Sequence, residues 1–176
     1  MRPLPRCAFL LVGLCLPSDL FAQQHRIEIG LDGGVQYAFD ANLFTIAIPF
    51  QRVRAAFPLE HRLAIEPAFS FTRLSSEGVS VAALAIQVGA LYDLDATRNS
   101  TYARPFAGIE YSDASFSGGE TVFDLGVGVG TRSPLADKLA LRIEANVTGR
   151  FGAEGGTDAV IGATVGLSFF TGRPRQ

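Results

Sequence analysis

Charged residues recur at even spacings along this chain. Glu28 and Asp32, Arg52 and Arg54, Arg104 and Glu110, and Arg142 and Glu144 are each an even number of residues apart, and Glu66, Asp124, Arg132 and Arg150 stand in comparable surroundings. Such groups suit few chemistries. Two facing carboxylates could serve as acid and base on a glycosidic bond. Acids interleaved with arginines could instead neutralise one another inside a fold, because an isolated buried charge is costly, or gate a narrow ion path. The segment Gly126-Val127-Gly128-Val129-Gly130 imitates a dinucleotide-binding loop but leads into Thr131-Arg132-Ser133-Pro134 rather than a helix. We expect no catalytic residue, metal or cofactor.

The spacing belongs to strands. Over 139–151, Leu139, Leu141, Ile143, Ala145, Val147 and Phe151 share one parity, while Arg142, Glu144, Asn146, Thr148 and Arg150 share the other. A helix would mix the two sets around its circumference, whereas a strand sends them to opposite faces. The same division recurs along the chain and predicts eight strands near 25–39, 43–57, 61–74, 79–94, 101–112, 120–133, 138–151 and 158–170, separated by turn-forming residues. One segment breaks phase: Phe44, Ile46 and Ile48 share a parity opposite to that of Val53, Ala55 and Phe57. Either a β-bulge near 49–52 inserts an unpaired residue or the strand begins only near Phe50; the bulge is the favoured reading.

Composition narrows the class. The 176 residues carry a net charge of −2, are 48% hydrophobic and only 18% charged, and include 19 Gly, 14 Phe and no Trp. That excludes a disordered chain, a helix bundle and a polybasic nucleic-acid binder. Residues 1–22 read as a cleaved signal peptide, with Arg2 and Arg6 before an apolar core at 7–16 and a cleavage site after Ala22. Both cysteines, Cys7 and Cys15, would leave with it. Residues 23–176 then form a single domain without thiols. Past the signal no apolar run is long enough for a membrane helix, yet mean hydropathy is +0.25.

Sidedness resolves that tension. The polar parities hold mostly Gly, Ser, Thr, Asn, Gln and single charges, whereas the apolar parities hold Leu, Ile, Val, Phe and Ala. Tyr37, Phe39, Phe57, Tyr92, Tyr111 and Phe169 stand toward strand ends. This is a lipid-facing band with aromatic girdles. In lipid every backbone group needs a partner, so the sheet must close. The expected fold is therefore all-β, an eight-stranded antiparallel up-and-down transmembrane β-barrel; a soluble periplasmic lipid-binding barrel is the alternative.

With Phe21-Ala22, the repeated two-residue pattern and the final strand through Phe169-Phe170, the chain resembles the small eight-stranded outer-membrane β-barrels of the OmpA/OmpX type. The resemblance implies an outer-membrane location, periplasmic termini and a monomer. It also implies outer-membrane lipid and lipopolysaccharide around the wall, and barrel-assembly machinery that reads a terminal aromatic residue, here displaced by 171–176. No nucleic acid is expected as a partner. The inward parity predicts a lumen network of Glu28, Arg52, Arg54, Glu66, Arg104, Glu110, Asp124, Arg142 and Glu144, with Glu28, Arg54 and Glu66 clustered as a plug. Arg73 is the odd outward charge, placed either to snorkel or to meet a lipopolysaccharide phosphate. The outer loops, at 40–42, 75–78, 113–119 and 152–157, are short, which disfavours a large binding surface. The leading functional expectation is a structural, envelope-integrity barrel without catalysis; a small-ligand carrier or narrow pore is the second.

Overall fold

The computed structural model describes residues 26–39, 43–59, 62–76, 79–94, 100–114, 118–152 and 156–171, with backbone alone at 43–51, 73–76, 79–81, 114 and 118. The signal region 1–22, His25 and His61 lie outside the described residues. Eight strands follow one another: β1 Glu28–Ala38, β2 Leu43–Pro58, β3 Leu63–Ser76, β4 Val79–Asp93, β5 Ser100–Ala114, β6 Gly118–Ala136, β7 Leu139–Gly152 and β8 Thr157–Phe170. Each pairs antiparallel with its neighbours, and β8 returns to β1 to close the barrel.

The register fixes the barrel's shape. Starting at Glu28 and stepping strand by strand through Ala56, Glu66, Gly89, Phe106, Gly126, Thr148 and Val160, the path returns to β1 at Ala38. It has climbed from position 28 to position 38, a shear of ten residues. Shear on this scale tilts the strands and leaves an interior that side chains alone can fill. The inside and the outside have exchanged their usual roles. Outward residues such as Ile86 and Leu125 are each 56% exposed, whereas Arg54 is 1% and Arg104 and Glu66 are 0% exposed. Phe39, Tyr111, Phe123 and Phe151 ring the far end of this apolar belt, and Tyr92 and Phe169 mark the near end, where both Glu28 and Phe170 lie.

Three local departures from the expected pattern have physical causes. Proline cannot donate to a ladder. Pro67 pairs toward β4 while the β2–β3 ladder lapses beside it, and Pro105 pairs toward β6 while the β4–β5 ladder lapses. The expected turn at 133–137 is strand as far as Ala136; a register irregularity between Pro134 and Ala136 accommodates the proline and leaves only Asp137-Lys138 to turn. The phase break in β2 is a larger bulge than a single inserted residue. Asp32 pairs with Arg52 but Gly34 pairs with Ala47, so two steps along β1 match five along β2. The three extra residues are an odd number. Beyond the bulge, Phe44 therefore stands opposite Tyr37 and Ile46 opposite Val35.

Candidate functional site

The near half of the lumen is filled by ion pairs. β1 supplies Glu28 and Asp32, β2 Arg52 and Arg54, β3 Glu66, β5 Tyr102 and Arg104, β7 Arg142 and Glu144, and β8 Ser168. Two-residue periodicity aims them all inward. Arg54 lies directly opposite Gly30 and Ala68, and its guanidinium reaches diagonally. Its Nη1 donates to Glu28 Oε1 at 2.5 Å, its Nε to Asp32 Oδ2 at 2.9 Å and its Nη2 to Ser168 Oγ at 2.7 Å. Ser168 in turn donates to Glu28 Oε1 at 2.6 Å. Glu66 Oε2 stands 3.7 Å from Arg54 Nη1, so Glu28, Arg54 and Glu66 form one cluster.

A second knot leans against the first. Arg142 donates to Glu66 Oε2 at 2.5 Å, to Glu144 Oε2 at 2.7 Å and to Tyr102 Oη at 2.5 Å. Its guanidinium also lies 4.4 Å from the centre of the Tyr102 ring, a cation–π contact. Arg104 donates to Glu144 Oε1 at 2.6 Å and covers the Phe106 ring at 4.5 Å. Arg132 links Glu28, at 3.1 Å, to Asp93 at the near rim. Arg52 is more loosely held, 3.8 Å from Asp32 and 3.7 Å from Glu66.

Glycines on the same face make room for these side chains. A Cβ on Gly30 would lie 2.2 Å from Arg54 Cζ, one on Gly166 1.9 Å from Asp32 Oδ1, and one on Gly130 2.3 Å from Tyr102 Oη. Gly126 and Gly128 stand in the same relation to Phe106 and Glu144. Each glycine lies beside a large lumen side chain of a neighbouring strand, which leans over its Cα and would collide with a Cβ.

Glu110 and Asp124 belong to a different group, which corrects the expectation of a single network. With Arg150 they form a triad in the far half: Arg150 Nη2 donates to Glu110 Oε1 at 2.6 Å, and its Nε is 3.5 Å from Asp124 Oδ1. The backbone of Arg73 pairs with Ala82, but its side chain lies outside the described residues. Tyr102 and Ser168 escaped the sequence reading. Tyr102 shares its parity with Arg104, which was the available signal; Ser168 carried none beyond facing inward. Chemically, the near-half carboxylates Glu28, Asp32, Glu66 and Glu144 are acceptors for guanidinium groups. A carboxylate held in that way is neither a free base nor a proton donor.

An apolar outer wall, a closed sheet and a charged interior together describe a membrane barrel. The family profile described as "Outer membrane protein beta-barrel domain" matches residues 8–169. The chain belongs to this outer-membrane β-barrel family. Among solved structures, Neisserial surface protein A (NspA) superposes with a TM-score of 0.65 at 13% identity, over 81% of this chain and 96% of that one. Ail, the attachment invasion locus protein of Yersinia pestis, superposes with a TM-score of 0.51 at 16% identity, over 82% of this chain and 96% of that one. At those identities the likeness is one of fold. A search of curated proteins finds no match. The family and the exposed apolar belt displace the alternative of a soluble barrel.

Proposed function

We propose that this barrel is a structural component of the outer membrane whose lumen is sealed, and that it neither conducts nor catalyses. The observation that carries the reading is the near-half storey, where Arg54, Arg104 and Glu66 are at most 1% exposed and are linked by ion pairs across the lumen. An ion crossing that storey would have to replace several charge-assisted contacts at once. On this reading Ala22 ends a cleaved signal, the near end faces the periplasm, the assembly machinery reads Phe169-Phe170, and Arg73 meets lipopolysaccharide phosphates.

Planar-bilayer recording tests the seal. The wild-type barrel is expected to be silent, and the double variant Arg54→Ala/Arg142→Ala to show discrete openings. A wild-type protein with steady ohmic conductance would overturn the reading. One observation favours a narrow pore as the second reading. Arg54 Nη1 already lies between two acceptors, Glu28 at 2.5 Å and Glu66 at 3.7 Å, so the guanidinium could exchange partners by a small shift. Rare openings in the wild type that vanish in Glu66→Gln would support it.

A further inference from the structure

Between the sealed near storey and the far triad, the lumen carries neutral polar side chains in place of charges. Gln36 of β1, Ser70 of β3, Gln87 of β4, Asn146 of β7 and Thr164 of β8 share the inward parity of the ion pairs. Nearer the sealed end Asp32, Glu144, Gly166 and Ser168 are buried. Higher up, Gln36 is exposed, and Gly34, Ser70, Asn146, Gly162 and Thr164 are half-buried although all of them face inward. The lumen above the ion pairs is therefore open from the far end. Glycines form part of its wall: Asn146 and Gln36 lean over Gly162 from either side, and Thr164 leans over Gly34.

Arg52 forms the floor of this space. It is the last β2 residue in register before the slip, paired with Asp32 on β1 and, where the described β2–β3 ladder ends, with Ser70 on β3. Its side chain is 16% exposed, whereas those of Arg54 and Arg104 are 0% exposed. Its Nε and Nη2 have no hydrogen-bond partner among the described residues. Nε stands 3.8 Å from Asp32 Oδ2 and Nη2 3.7 Å from Glu66 Oε1, charge contacts too long for hydrogen bonds. Two more groups nearby are unmet among the described residues: the fully buried Arg104 Nη1 has no acceptor, and Gln87 Oε1 has no donor. They lie close together. Arg104 Nε is 3.6 Å from the same Glu66 Oε1, and Gln87 pairs with Ala68, the next inward residue of β3.

We propose that this space binds a small neutral polyol or sugar entering from solution at the far end, with its hydroxyls on Arg52, Arg104 and Gln87. The chemistry follows because the unmet groups are of both kinds. A hydroxyl accepts from a guanidinium and donates to an amide oxygen or a carboxylate, whereas a carboxylate ligand only accepts and an ammonium only donates. One hydroxyl about 2.8 Å from both Arg52 Nε and Asp32 Oδ2 closes that gap as a triangle. Charge points the same way. Arg52, Arg54, Arg104 and Arg142 already balance Glu28, Asp32, Glu66 and Glu144, so an added ion would stand uncompensated. Gln36, Asn146 and Thr164 supply further donors and acceptors along the wall. The site does not depend on the seal beneath it, so a conducting wild type would overturn the sealed-lumen reading and leave this one standing.

Saturation-transfer NMR on the full barrel in phosphatidylcholine nanodiscs tests it, with glucose as the probe. Transfer to glucose should saturate, and acetate or methylammonium at equal concentration should neither show it nor compete. Gln87→Leu with Thr164→Val should raise the half-saturating glucose concentration about tenfold, as the loss of two hydrogen bonds would. Arg52→Lys keeps the charge, removes the fork and should weaken binding by a similar factor. A heat-modifiable gel shift confirms that each variant folds, and either variant alone decides the result. The discs hold no glycolipid, so the signal reports sugar from solution; a response only after lipopolysaccharide is built into the discs would overturn that source. Absence of saturable transfer to glucose, competition by acetate, or an unchanged affinity in a folded variant would overturn the proposal.

Discussion

The two halves of the lumen solve the same problem in opposite ways. The near half buries most of its charges and balances them within a lattice of two to four contacts per arginine, with glycines cut to fit. The far half leaves Arg150 and Glu110 each a little over a quarter exposed, in a triad with an excess of acid. In the near half every charge depends on its neighbours, so removal of one strands the others. In the far half water reaches Arg150 and Glu110 and can replace a lost partner there, while Asp124 is buried and relies on Arg150. Identical residue types therefore carry different weight according to depth, and the sealed half is also the half in which the β2–β3 ladder is formed.

This contrast can be broken by substitution. Arg142→Met should have the largest effect, about 3–5 kcal/mol of destabilisation, because it leaves Glu66 buried without its closest donor and Glu144 without one of its two arginines; urea unfolding in lipid vesicles measures it. A loss no greater than that of Glu110→Gln would show that the near half is wetter than its burial indicates. Gly166→Ala should come next, at about 1–3 kcal/mol, since its Cβ would collide with Asp32 and with the Leu31 carbonyl oxygen. Gly152→Ala, on the lumen parity of β7, serves as the far-half counterpart; the closest contact of its Cβ would be the end of the flexible Glu120 side chain, at 3.1 Å, and the variant should unfold within about 0.5 kcal/mol of wild type. Glu110→Gln should have the smallest effect of the charge removals, about 0–1 kcal/mol, with a salt dependence that Arg142→Met lacks.

Much of the fold was legible because a period of two is a local property. The parity of Leu139 through Phe151 assigns β7 and its faces with no knowledge of its partners, and the phase break between Ile48 and Val53 located the bulge. What was not legible depended on neighbours. The turn near Ser133 was read from its proline, yet the irregularity at Pro134 kept the segment in the ladder with Ala140. Tyr102 offered only its shared parity with Arg104, because Arg142 and Arg132 stack on its ring from strands that a local reading cannot place beside it. Glu110 and Asp124 shared the inward parity of Glu66, but parity says nothing of height.

The sequence by itself determined which residues face lipid and which face the lumen, because alternation along a strand needs no partner to define it. It also determined that the lumen would be charged and close to neutral. Only the tertiary structure decided which charges meet. Strand tilt and a shear of ten bring Arg142 of β7 to the level of Glu66 of β3 and lift Arg150 away from both. Height in a barrel is set by register summed around the whole circle, and an odd slip in one strand is felt on both of its neighbours.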